Sequence, residues 1–141
     1  MPVAASLIHR IFEQAFNQGD LEVIDELVAA DIDAHMASWG VPASRLGLKQ
    51  MITNLRSAFP DLRCIVEDEI REGDKFAAYW TMRGTHRGSY LGNQPTGRPI
   101  AVQGFIFART ADGQIVENRI LIDQIGILQQ IGVVPPSRGS L

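Results

Sequence analysis

Asp123 is the residue best placed for chemistry, because it closes the apolar run Ile120-Leu121-Ile122 just ahead of a turn. In an apolar pocket a carboxylate loses hydration, its pKa rises, and it becomes a better base for an acidic C–H near neutrality. The same position also suits a capping aspartate that accepts from the N–H groups of Ile125 and Gly126. Arg119 comes four residues earlier, about 13 Å away along a strand. Its forked donor suits an anionic or enolic ligand oxygen, and an ion pair with Glu117 or Glu67 is the structural alternative. His35, in Asp31-Ile32-Asp33-Ala34-His35-Met36, could donate to a carbonyl, relay a proton, or simply rest on a backbone carbonyl. Gln103 could orient a substrate oxygen or complete a hydrogen bond across a hairpin. Phe16, Trp39, Phe59, Trp80, Met82 and Phe105 are core by default, with some of them expected to wall a pocket. His86 reads as a strand-end group that fixes the following loop.

Other chemistries lack their residues. The three histidines stand at positions 9, 35 and 86 with no paired spacing, so no metal site is expected. There is no phosphate-binding lysine motif, no Gly-x-Gly-x-x-Gly after a strand and no Gly-x-Ser-x-Gly elbow. Cys64 alternates with Arg63 and Ile65 in a strand, as a buried small hydrophobe would.

The elements that must position these residues follow from periodicity. Leu7, Ile8, Ile11, Phe12, Ala15 and Phe16 form one helical stripe, Gly19 is a C-terminal stop, and Asp20 caps a short second helix. That helix turns Leu21, Ile24, Leu27 and Val28 inward. Asp31 to Leu46 reads as a short strand and a loop. A third helix starts near Leu48 and ends at Pro60, which disfavours helix at the residue before it. From Leu62 the period becomes two. Strands are predicted over Arg63–Ile70, Lys75–His86, Ile100–Arg109 and Ile115–Asp123, with a Gly/Pro-rich loop over Arg87–Pro99 and a helical turn or two over Ile125–Ile131.

Ala111-Asp112-Gly113 fits a three-residue hairpin loop. That choice pairs Thr110 with Gln114, Gln103 with Leu121 and Phe105 with Arg119. Asp123, Leu121 and Arg119 then share a face with Ala101, Gln103 and Phe105.

The chain has 141 residues, a length that suits one domain able to bury roughly two-thirds of its unfolded surface. We expect a single domain over 1–136 and a mobile tail over 137–141. A net charge of −3 argues against nucleic acid or an anionic membrane as partner. One cysteine, no signal-like start and no apolar span lead us to expect a cytoplasmic protein.

Gly84-Thr85-His86-Arg87-Gly88 with Gly92-Asn93-Gln94-Pro95-Thr96-Gly97-Arg98 resembles a segment of SnoaL-like polyketide cyclases. Gly113-Gln114-Ile115-Val116-Glu117 and Asp123-Gln124-Ile125-Gly126-Ile127-Leu128-Gln129-Gln130-Ile131-Gly132 resemble the same family's closing motif. The resemblance extends to the wider NTF2-like superfamily over nearly the whole chain. It implies an α+β fold, a cone-like barrel of three N-terminal helices on a strongly curved, mainly antiparallel sheet, and a homodimer. It also implies a cofactor-free aldol-type cyclase or related isomerase acting on an apolar oxygenated small molecule, without a metal, in which the aspartate at position 123 is the general acid/base. Arg119 stands where the family often has tryptophan. Epoxide hydrolase or dehydratase chemistry, and a non-catalytic binding or dimeric interaction module, are the alternatives on this fold. A ketosteroid-isomerase site is disfavoured, because the first helix offers Phe12 and Phe16 where that chemistry takes a tyrosine.

Overall fold

The first amphipathic stripe forms two kinds of helix. In the computed structural model, which describes residues 3–35 and 40–135, α1 spans Val3–Arg10 and continues as a wider π-helical segment, Ile11–Asn17. That segment buries Ile11, Phe12, Ala15 and Phe16. Its end is fixed by the Arg56 guanidinium, which donates to the carbonyls of Phe16 and Asn17 at 2.9 and 2.8 Å. Gly19 turns the chain at φ +77° beside that guanidinium, as the stop signal requires. Asp20 accepts the Glu22 N–H at the start of α2, Glu22–Leu27, which buries Val23, Ile24 and Leu27.

Strand β1, Val28–His35, follows with no intervening loop. Helix α3, Arg45–Ala58, starts three residues before the sequence expectation, because the Ser44 hydroxyl caps the Gly47 N–H at 3.1 Å. It stops at Phe59, before Pro60. Strands β2 (Arg63–Glu72), β3 (Lys75–Thr85), β4 (Pro99–Ala111) and β5 (Gln114–Ile122) lead into α4, Gln124–Gln130. One five-stranded sheet results, in the order β1-β5-β4-β3-β2. The β1–β5 pair is parallel and the other pairs are antiparallel. The expected tail over 137–141 lies outside the described residues.

The sheet's inner face carries Phe76, Ala78, Trp80 and Met82 from β3 and Ile100, Val102, Gly104, Ile106 and Ala108 from β4, all buried. Phe12 and Phe16 stack at 4.8 Å between ring centroids, and Phe12 meets Trp80 at 4.9 Å. Gly104 pairs directly with Trp80 across the strands. A side chain there would run into the indole, since an added Cβ would lie 2.6 Å from Trp80 Cζ2. Cys64 is buried in this core, and burial pushes its thiol up to about 12, which removes it as a nucleophile.

The matched Gly-Thr-His segment holds the fold together. Asp61, just past α3, accepts from the Thr85 N–H at 2.7 Å and from its hydroxyl at 2.8 Å. The Ala58 carbonyl accepts from the N–H groups of Arg87 and Gly88. His86 is fully buried, and its Nδ1 accepts the Thr96 N–H at 3.2 Å. Its backbone pairs with Arg98 and Gly97. The structural role read for His86 fits this geometry.

Candidate functional site

Asp123 leaves β5 on the outer face. Its N–H donates to the Gln103 carbonyl at 3.1 Å, and Gly104 pairs with Ile122, Phe105 with Leu121 and Phe107 with Arg119. This register is two residues away from the expected one. The hairpin turns on two residues, Asp112 and Gly113, at φ 52° and 77°, which suits a type I′ turn. An irregularity between Arg109 and Thr110 then restores the alternation. A shift of two keeps every side chain on its expected face. Asp123, Gln103, Phe105 and Arg119 do share one face, and His35, paired with Arg119 from β1, joins them.

That face points away from the helices. Asp123 is exposed and is not enclosed in an apolar pocket. Phe16, Phe59, Trp80 and Met82, expected as candidate pocket walls, lie on the other side of the sheet, each at most 1% exposed. Strand alternation is the reason. Even-numbered positions of β3 and β4 pack on the helices, while Gln103, Phe105 and Asp123 fall on the odd side. Trp39 lies outside the described residues.

The Asp123 carboxylate caps α4: Oδ1 accepts the Gly126 N–H at 2.8 Å. Position 126 must be glycine for this placement, since a Cβ there would overlap the carboxylate. One oxygen is thus held by the cap. A carboxylate fixed in this way can accept a proton without reorienting. It faces a groove of about 200 Å³ lined also by Thr81, Arg83, Ala101, Val102 and Gln103. Gln103 also borders a larger groove of about 470 Å³, floored by Ile70, Ala77, Tyr79 and Phe105. The rings of Tyr79 and Phe105 lie 5.3 Å apart. Sequence reasoning passed over Tyr79 and Arg83, although the odd positions of β3 place both beside Gln103.

Arg119 and His35 belong to a separate charged network. His35 Nε2 lies 3.3 Å from Asp33 Oδ1 and 4.0 Å from Glu117 Oε2. Arg109 Nε meets Glu117 Oε1 at 3.2 Å, and Arg119 Nη2 comes within 3.9 Å of Oε2. The ion pair with Glu117 read as the structural alternative for Arg119 is therefore present. Asp33, His35 and Glu117 bring one ligand atom each within 4.8 Å of one another, the spacing a divalent cation would need. Both arginines pair with Glu117 and His35 lies against Asp33, so the group reads as a salt-bridge network. A further cavity of about 260 Å³ lies on the helix side, between Met51, Asn54 and Leu55 of α3 and the turn at Tyr90 and Leu91. No helix among the described residues is long and apolar enough to cross a membrane.

Comparison with known proteins bears on the fold and the family. Comparison with curated proteins finds no match. Among solved structures, the chain is similar to IdmH from Streptomyces antibioticus, a proposed polyketide cyclase, at 34% identity and TM-score 0.81, with 92% of this chain and 98% of that chain covered. It is similar to AclR from Streptomyces galilaeus, a proposed hydroxylase, at 26% identity and TM-score 0.82, covering 96% and 84%. TsrD from Streptomyces laurentii shares the fold at 24% identity and TM-score 0.84, covering 94% and 96%. The family model for SnoaL-like polyketide cyclases matches residues 6–131. With nearly the whole length matched, the chain belongs to the SnoaL-like polyketide cyclase family.

Proposed function

We propose that the protein is a cofactor-independent acid–base enzyme that closes or isomerises an apolar, oxygenated, polyketide-like small molecule, with Asp123 as general acid/base. The observation carrying this reading is the Asp123 carboxylate, held through one oxygen by the α4 cap beside the Gln103 groove. Asp123 removes a proton from a carbon next to a carbonyl and later returns it. Gln103 steadies the enolate oxygen, and Tyr79 and Phe105 carry the apolar body of the substrate. His35 and Arg119 act at the rim of this face rather than on the proton.

We place the contact of the expected homodimer on the same face. A second copy packing on Phe107 and Leu121 turns the open groove at Tyr79 into a cleft and shields Asp123 from water. Deuterium exchange at the acidic C–H of 2-tetralone tests the chemistry without knowledge of the natural substrate. Asp123→Asn should slow enzyme-catalysed exchange by about 100-fold or more. Because asparagine caps a helix nearly as well as aspartate, the melting temperature should hold. Full exchange activity in the variant would sink the mechanism.

A second reading, a non-catalytic binding module, is favoured by the filled core. Trp80, Phe16, Phe59 and Met82 occupy the inner face to at most 1% exposure. Under that reading Asp123 is only a cap, and Asp123→Asn leaves exchange unchanged from a negligible wild-type rate.

A further inference from the structure

The outer face carries a charge arrangement that the acid–base reading does not use. The β2–β3 register sets Arg63 directly opposite Arg83, and both are exposed. Like charges directly opposite on neighbouring strands destabilise the pair. Among the described residues neither guanidinium makes an ion pair that would offset the repulsion. Arg83 lines the same groove as Asp123, Thr81 and Gln103, with no ion pair between Arg83 and Asp123. The acid nearest along β2, Glu67, accepts the Thr81 hydroxyl at 3.0 Å. Asp68, opposite Tyr79, lines the ring end of the larger groove and so adds to the repulsion of an anion from that end. Gln103 joins this cationic end to the Tyr79–Phe105 floor of the larger groove.

We infer that the groove is built for an aromatic or polycyclic acid, its rings on Tyr79 and Phe105 and its carboxylate held by Arg83 with Arg63 beside it. This rests on the reading of the Asp123 groove as the working site, and deepens it by naming the substrate class. A guanidinium matches a carboxylate with two parallel donors. The Asp123 carboxylate repels a ligand anion, so charge also orients the ligand. The acid end goes toward the β2–β3 side, and an uncharged part of the ring system is left beside Asp123.

The test is calorimetric titration of the full chain with 2-naphthoate and its neutral isostere 2-naphthamide. We expect 2-naphthoate to bind about tenfold tighter at low salt, with most of that advantage lost at high ionic strength. Arg83→Gln should remove the preference for the acid while leaving 2-naphthamide affinity unchanged, and Arg83→Lys should keep part of it. Arg63→Gln should weaken it to a lesser degree. Asp123→Asn should tighten 2-naphthoate by removing a like charge. Equal affinity of the two probes for the wild type, binding of neither, or an Arg83→Gln variant that still prefers the acid would each overturn the inference. The two readings separate cleanly. Arg83-dependent 2-naphthoate binding alongside undiminished 2-tetralone exchange in Asp123→Asn would leave the acid site standing and remove the base. Lost exchange with no preference for the acid would do the reverse.

Discussion

Asp123 is tied to the fold through one carboxylate oxygen. Oδ1 takes the Gly126 N–H at 2.8 Å, which satisfies one of the donors a helix start leaves open. Gly126 is the counterpart of that bond, because any side chain at 126 would meet the carboxylate before it met another neighbour. Gly126→Ala should therefore displace the carboxylate and cost about 1–2 kcal/mol of stability, the value of a lost N-cap. Urea denaturation measures the cost, and 2-tetralone exchange measures the displacement. A variant as stable as the wild type, with exchange intact, would mean that the glycine is incidental to the cap. Asp123→Asn, by contrast, keeps a capping oxygen and removes only the basicity, so the two substitutions separate structure from chemistry.

The element that holds the loop before β4 is the staple between α3 and β3. Asp61 accepts both the N–H and the hydroxyl of Thr85, and these bonds, the backbone one first, hold its carboxyl below its ordinary value near 3.8. A carboxyl whose pKa is depressed on folding stabilises fully above its unfolded value, and that contribution fades as pH falls through the depressed folded value. Asp61→Asn should accordingly lower the urea midpoint at pH 7 and flatten its decline below about pH 4. Parallel acid limbs for variant and wild type would count against the staple. This element was legible in the sequence, since Pro60 marked the end of α3 and the Gly-Thr-His run marked a structured strand end. The β4–β5 hairpin was legible only up to a choice. Asp112-Gly113 serves either a two- or a three-residue loop, and the irregularity near Thr110 has no residue signature. Shared faces survived, because the error was an even number of residues. Which face meets the helices could not be read from β4, where Phe105 and Phe107 on one side are as apolar as Val102 and Ile106 on the other. The site residues therefore divided between groove and core, and β3, never assigned a face, hid Tyr79 and Arg83.

At the scale of the whole molecule, the outer face exposes several large apolar side chains. Leu121 is 66% exposed, Phe105 58% and Ile70 71%, all on one side of a single sheet. Contiguous exposed apolar surface of this kind marks an interaction site, and a net charge of −3 gives two copies little mutual repulsion. Leu121 on β5 and Phe107 on β4 border the groove, which runs over β2, β3 and β4, so a second copy packed on the β5 side walls the groove and leaves its floor to a ligand. Leu121→Glu puts a charge where the proposed partner must pack. Because Leu121 is mostly exposed in the single chain, its replacement should change monomer stability by less than about 0.5 kcal/mol. Light scattering coupled to size exclusion should show a dimer for the wild type and a monomer for Leu121→Glu. The monomer should also lose exchange activity along with its partner, since Asp123 would stay fully hydrated. A Leu121→Glu protein that remained dimeric would move the contact to another face, and a monomer with undiminished exchange would show that Asp123 needs no covering copy.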